Sequence, residues 1–201
     1  MSRPGFGEGT SGLAELFPEQ GDWTVSEYLR LDTNRRIEFS DGYLEVLPAP
    51  TTTHQLIVLY LLKALAAFVE AGSLGQVSFA GTRVRIRSGK FREPDVVFMA
   101  ADHESRIKEQ YWKGADLVME VLSEDRDLDL VKKRREYARA GIPEYWIIDP
   151  LEARITVLRL SGQQYVEHGR FAKGTRATSA LLRGFSVEVS KALARRGTKG
   201  D

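Results

Sequence analysis

Apolar positions along this chain follow two periods, and the places where each period stops mark the elements. Alternation runs through Arg36-Ile37-Glu38-Phe39-Ser40 and again through Tyr43-Leu44-Glu45-Val46-Leu47, with Asp41-Gly42 between them. An Asp-Gly pair flanked this way predicts a two-residue hairpin. Arg83-Val84-Arg85-Ile86-Arg87 alternates too, as a strand with one apolar and one basic face, and Ser88-Gly89-Lys90 supplies a turn after it. The run Leu117-Val118-Met119-Glu120-Val121-Leu122 is apolar on both faces apart from one acid, which reads as a buried central strand. Further strands are expected at 94–99, 144–149, 154–160, 164–168 and 185–189, with Ser161-Gly162 joining the third and fourth of these runs.

Helical periodicity marks three segments. Residues 23–31 carry Thr24 and Glu27 at capping-box spacing. Residues 53–71 follow Thr52 and Gln55 at the same spacing and stop at Gly72. This second helix is apolar almost all the way round, so both faces are expected to be covered, one by the sheet and the other by more of this chain or by a second subunit. Residues 127–140 form the third, closed by Gly141 with Pro143 beyond. Residues 103–113 are polar and irregular or weakly helical.

This order predicts an α/β (α+β) fold: a central mixed sheet flanked by helices, an N-terminal hairpin and a C-terminal β extension. Residues 21–193 read as a single domain, which suits a length of 201 residues. The glycine-rich start, 1–20, reads as a disordered segment without a signal peptide, and 194–201 as a basic flexible tail.

Composition narrows the function classes. Hydrophobic residues at 42% and charged residues at 28% fit a soluble globular protein. A net charge of +1 gives no overall basic bias, so a nucleic-acid partner must be met by a local patch. Without cysteine there are no disulfides and no thiolate-held zinc or iron–sulfur sites, which fits a reducing cytoplasm. The longest apolar stretch, 56–69, is broken by Lys63 and falls short of a membrane span, so no membrane partner is expected. Gly72 and Gly75 lack the lysine and spacing of a phosphate loop, so no nucleotide cofactor is expected. His103 and His168 form no metal-ligand pattern.

The chemistry concentrates around Glu120. An ionised acid in an apolar strand must be paired, protonated or bound to a cation, because its hydration is lost. Asp95, in Glu93-Pro94-Asp95-Val96-Val97, is a second acid at the start of a strand. If the two strands are neighbours, both acids reach one ion, and the carbonyl of Val121 is a natural third ligand. Magnesium needs no more than such a set of hard oxygens, and a divalent ion so held supports phosphodiester hydrolysis. On the third helix Leu130, Val131, Tyr137 and Ala138 form the apolar stripe. Lys132 then points away, Lys133 lies on the flank within reach of the acids, and Arg134 is its rival. Asp129 either complements the helix dipole or orients Lys133 from one turn away.

A resemblance enters on these residues. Pro94-Asp95, Asp116 through Ser123, Asp129 through Lys133 and Tyr137 through Pro150 resemble the bacterial stand-alone restriction endonuclease family of the PD-(D/E)XK nuclease superfamily. Arg36-Ile37-Glu38 with Asp41-Gly42, and Pro48-Ala49-Pro50 through His54-Gln55, match upstream. The likeness covers about 23–193. It implies a restriction-endonuclease-like core, magnesium as cofactor with manganese able to substitute, and DNA as substrate. By motif, Asp95 and Glu120 take the metal positions. Leu122 stands where the superfamily places a lysine, and the family's displaced lysine corresponds to Lys133. Glu124, Asp125 and Arg126 replace the Pro and Thr residues common after Ser123, making that loop more acidic.

Weaker candidates remain two-sided. Glu38 is either an exposed strand residue or a third acid near the metal. His54 makes a local hydrogen bond or, with Gln55, walls the site. Arg83, Arg85 and Arg87 form a solvated face or a ridge that contacts DNA phosphates. Tyr145 and Trp146 read as core. The leading function is a metal-dependent DNA endonuclease, cutting both strands as a homodimer through helix 53–71. The alternative is a nuclease fold that has lost catalysis and binds DNA or protein. Hydrolysis of RNA or another phosphodiester is a third reading.

Overall fold

The computed structural model describes residues 17–123 and 126–194. The expected disordered start therefore falls outside the described residues up to 16, as do Glu124, Asp125 and the basic tail from 195. Residues 17–20 are held in place: Phe17 stacks on Trp23 at 6.0 Å, and the Gln20 side chain accepts from the Leu44 N–H at 2.8 Å.

The first helix, α1 (Val25–Arg30), carries the expected capping box. Thr24 Oγ1 accepts from the Glu27 N–H at 3.2 Å and Glu27 Oε2 accepts from the Thr24 N–H at 2.8 Å. The hairpin β1 (Ile37–Ser40) and β2 (Tyr43–Val46) pairs Ser40 with Tyr43. Asp41 (φ 51°) and Gly42 (φ 90°) both lie in the left-handed region, as a tight two-residue turn requires. A Cβ on Gly42 would also fall 2.1 Å from the Gly21 carbonyl oxygen.

This hairpin belongs to a separate five-stranded sheet, not to the central one. With β4 (Val84–Arg87), β5 (Lys90–Arg92) and β7 (Trp112–Lys113) its order is β2-β1-β5-β4-β7. The central sheet has six strands: β3 (Gly75–Phe79), β6 (Val96–Ala100), β8 (Leu117–Val121), β9 (Glu144–Asp149), β10 (Arg154–Ser161) and β11 (Gln164–Ala172), in the order β11-β10-β9-β8-β6-β3. β8 runs parallel to β9 and antiparallel to β6, which makes the sheet mixed. A two-stranded piece, β12 (Arg176–Thr178) with β13 (Ser186–Glu188), and a short α4 (Val189–Ala192) close the described chain.

Between β2 and β3 lies α2 (Thr52–Ala71). Its N-cap is Thr51, one residue earlier than the expected Thr52, and Thr51 Oγ1 accepts from the His54 N–H at 3.2 Å. At 20 residues α2 is long and apolar enough to cross a membrane by length and composition alone, longer than the 56–69 run suggested. Ile57, Val58, Leu61, Leu65 and Val69 are instead buried in the core against Val96, Phe98, Leu117 and Met119 of the central sheet. Burial of each such side chain contributes about 1.5–3 kcal/mol. The opposite face is not covered as its composition led us to expect: Leu56 and Leu59 are exposed.

The third helix also departs from expectation. Leu128–Lys133 is wound as a π-helix and only then continues as α3 (Arg134–Arg139). A π-turn spans five residues and rotates the side chains off an α-helical phase. Val131, expected in the apolar stripe, is 52% exposed, while Asp129 and Lys133 turn inward.

Candidate active site

Register brings the two strand-borne acids together. Val96 pairs with Met119 and Val97 with Val118, and one further step sets Asp95 opposite Glu120. Both are buried at 2% exposure, at the floor of a cleft of about 770 Å³. The cleft walls come from the β2–α2 connection (Leu47 to Thr51), from His54 and Ile57 of α2, from Leu122 and Ser123 after β8, and from Pro150-Leu151 after β9. Val121, the expected third ligand, lines the same cleft.

The π-turn delivers the lysine. Lys133 Nζ lies 3.0 Å from Glu120 Oε1, 3.1 Å from Asp129 Oδ1 and 3.9 Å from Glu38 Oε1. Desolvation opposes its charge, but Glu120, Glu38, Asp129 and Asp95 outweigh that and raise its pKa, so the side chain stays a cation. Arg134, its rival, reaches away to the Tyr165 carbonyl at 3.4 Å. The lysine missing at Leu122 is thus supplied to the same carboxylate from the next element.

The two acids are held differently. Asp95 is desolvated too, yet its pKa is lowered, because His54 and Arg36 face it. His54 Nε2 lies 3.1 Å from Oδ2, Arg36 Nη1 donates to Oδ1 at 3.2 Å, and the Val121 N–H donates to Oδ2 at 2.9 Å. Glu120 accepts from the Tyr137 hydroxyl at 2.6 Å and faces Lys133. Burial, with Asp95 and Asp129 nearby, nevertheless pushes its pKa up to about 8. Asp129 is raised chiefly by burial as well.

A ring of supporting contacts holds this floor. Glu38 is buried, not exposed; it pairs with the buried Arg92 and accepts from the Glu93 N–H at 3.1 Å. Arg92 Nε in turn donates to Glu136 at 2.8 Å, and Tyr145 donates to the Asp129 carbonyl at 3.1 Å. Sequence reasoning passed over Arg36, Arg92 and Tyr137 as site residues. Arg36 and Tyr137 stood inside the matching stretches, and their contacts arise only when both sheets meet the third helix. Trp146 is core, as expected, with its indole N–H donating to Glu144 at 2.6 Å.

Other candidates are placed elsewhere. Gln55 is exposed and absent from the cleft walls, unlike its neighbour His54, because the helix turns it outward. Arg83, Arg85 and Arg87 are engaged by groups beside the five-stranded sheet. Arg83 donates to the Leu29 carbonyl at 3.0 Å and lies over the Tyr28 ring; Arg85 lies over Tyr111; Arg87 pairs with Asp41 at 2.5 Å. Of the loop after Ser123, Glu124 and Asp125 lie outside the described residues, while Arg126 pairs with Asp149 at 2.5 Å.

Whether the donor set suits a divalent ion can be read from its charges. Glu38, Asp95, Glu120 and Asp129 meet the fixed cations Lys133, Arg36 and Arg92, which leaves a carboxylate in excess. The raised Glu120 is that excess expressed as protonation, and a cation beside it would relieve it. Each carboxylate oxygen has lone pairs beyond the contacts described, and magnesium takes one or two carboxylates and keeps its waters. Among the described residues no three His, Cys, Asp or Glu side chains gather into a ready-made cage. Glu38 is engaged by Arg92 and Lys133. Asp95 and Glu120 fit magnesium as a two-carboxylate site.

Comparisons with known proteins bear on the family and the fold. A family model named Uma2 and described as "Putative restriction endonuclease" matches residues 25–190. No curated protein matches the chain. Among solved structures, a protein from Anabaena variabilis ATCC 29413, described as a putative nuclease belonging to DUF820, is similar with a TM-score of 0.69 at 19% identity. The match covers 85% of this chain and 97% of that one, and it is a likeness of fold.

Proposed function

This chain belongs to the Uma2 family of putative restriction endonucleases, and from that premise we propose that it is a magnesium-dependent endonuclease that hydrolyses DNA phosphodiester bonds. The observation that carries this reading is the approach of Lys133 Nζ to within 3.0 Å of Glu120 at the floor of an open cleft. Asp95 and Glu120 would hold the ion, with the Val121 carbonyl as a third ligand and manganese able to substitute. A bound divalent ion supplies Lewis acidity toward the scissile phosphate and its attacking water.

The remaining work falls to side chains. Lys133 stays protonated, so it acts by charge, either orienting the water or neutralising a phosphate oxygen as negative charge builds there. It does not abstract the proton. Asp129 and Glu38 fix where that ammonium sits. Arg36 and His54 hold Asp95 ionised and aimed. Tyr137 locks one oxygen of Glu120. Preorganised groups of this kind lower a barrier because they need not reorganise during reaction.

Cutting both strands of a duplex requires two such sites, and the exposed Leu56 and Leu59 on α2 are the surface we assign to a second copy. A strictly monomeric mass by sedimentation would remove that pairing. The enzymatic reading is tested with supercoiled plasmid in magnesium or manganese, beside Glu120→Gln. Nicking or linearisation by the wild type alone supports it. Equal nicking by Glu120→Gln would discard the site, and no cleavage by either protein would favour a nuclease fold that binds without cutting.

A further inference from the structure

The helical segment that carries Lys133 has a second concave side. Leu130, Val131, Arg134 and Ala138 face a groove of about 520 Å³ whose far wall is Gln163, Gln164 and Tyr165 at the start of β11. Arg135 and Arg139 complete its rim. The cleft described above is lined by Leu128, Asp129 and Lys133 of the same segment. One stretch of chain therefore forms the wall between the two hollows.

The cations of this groove differ from Arg83, Arg85 and Arg87 in what they touch. Arg134, Arg135 and Arg139 are exposed, and among the described residues none has a carboxylate within 4.0 Å; Arg134 has only the Tyr165 carbonyl. Glu136, the acid in their midst, is turned away and taken up by Lys90 and Arg92. Lys132 extends the row toward the cleft, where it lies 3.8 Å from Glu45, a residue of the cleft wall. By contrast Arg83, Arg85 and Arg87 already have partners beside the five-stranded sheet. Exposed guanidinium groups without counter-ions, set with amide side chains around a groove, suit phosphate oxygens, which accept from both.

We infer that this groove binds the phosphodiester backbone of duplex DNA next to the segment being cut, with Arg134, Arg135 and Arg139 contacting phosphates. The inference rests on DNA being the substrate, and it moves the phosphate-contacting ridge from β4 to the outer side of the catalytic helix. Arg135 and Arg139 stand one helical turn apart and present two charges along one strand.

Binding measured without cleavage tests this. A fluorescein-labelled mixed-sequence duplex is titrated in EDTA by fluorescence anisotropy across a range of salt, on the Glu120→Gln background. Removing two phosphate contacts with Arg135→Gln plus Arg139→Gln should weaken binding about tenfold or more and reduce the slope of log K against log salt by about 1.8, at roughly 0.9 per contact. Arg83→Gln plus Arg85→Gln should leave that slope in place. Equal affinity and slope for the groove variant would overturn the groove alone, leaving DNA as partner. Absence of duplex binding by the parent at any salt would overturn the groove together with the reading of DNA as substrate.

Discussion

The two sides of the cleft floor hold the same kind of group at the same depth and treat it in opposite ways. Asp95 and Glu120 are each 2% exposed, and both lose hydration. On the Asp95 side, donors converge from three elements: Arg36 ahead of β1, His54 of α2 and the Val121 amide of β8. That carboxyl is kept ionised. On the Glu120 side a single ammonium is shared among Glu120, Asp129 and Glu38, and Glu120 is pushed up to about 8. Burial pushes both pKa values up, so it does not by itself account for the difference between them. The ratio of donors to acids does, and the shortage on the Glu120 side is where an added cation has most to offer.

The largest effect should come from removing either acid. Asp95→Asn and Glu120→Gln are each expected to lower metal-dependent cleavage about 1000-fold or more, the loss of several kcal/mol of charge stabilisation. Initial rates on plasmid, with folding checked by circular dichroism, measure this. Only Glu120→Gln should also leave the metal-free fold as stable as before or more so, because it removes the acid in excess. If Asp95→Asn behaves identically in that respect, the two sides are not different.

Next in size is Lys133→Met. It leaves three buried acids without their shared cation, a change that costs about 3–5 kcal/mol when one partner of a buried pair is lost. Urea titration in EDTA at pH 9, where Glu120 is ionised, should show it. Near pH 6 the cost should shrink, since a neutral Glu120 needs no counter-ion. A uniform cost at both pH values would mean that the lysine contributes packing and not charge.

A smaller effect is the pH dependence of the wild type. The Glu120 carboxyl titrates at about 8 in the fold against 4.5 as a free side chain. Its neutral form favours the folded state, so this contribution is whole below about pH 4.5 and is lost as pH rises through about 8. Thermal unfolding in EDTA should therefore weaken across that window, and Glu120→Gln should flatten the trend. Magnesium should restore stability most at the alkaline end.

Local signals carried the sequence reading as far as they reached. The Asp41-Gly42 hairpin, the Thr24–Glu27 cap and the apolar run around Glu120 are written in a few adjacent residues, and each formed as read. Asp95 and Glu120 could be paired because both sit at strand ends. What escaped depended on residues far apart. That the hairpin builds its own sheet follows from β5 pairing with β1, and β5 is only three residues long. Glu38 was legible as a candidate but not as a buried partner of Arg92, which comes from that short strand. The π-turn has no compositional mark in Leu128–Lys133, so Val131 was assigned inward by α-helical phase and is found outside. The outer face of α2 was read as covered because apolar content does not tell where coverage ends.

The finest test of the two-sided floor is Tyr137→Phe. The Tyr137 hydroxyl donates to Glu120 Oε1 at 2.6 Å and is itself fully buried, so the change removes one bond to the ionised acid and nothing from Asp95. A hydrogen bond to a charged group contributes about 1.5–3 kcal/mol. The loss should be near that size at pH 9, where Glu120 is ionised, and smaller at pH 5, where a neutral carboxyl demands less of its donor. Because the bond favours the anion, its removal should also move the Glu120 titration further up, carrying the alkaline loss of stability to higher pH. Equal destabilisation at both pH values would show that the ring is held for its packing against Tyr145, 5.3 Å away between centroids, and that Lys133 alone governs the charge on Glu120.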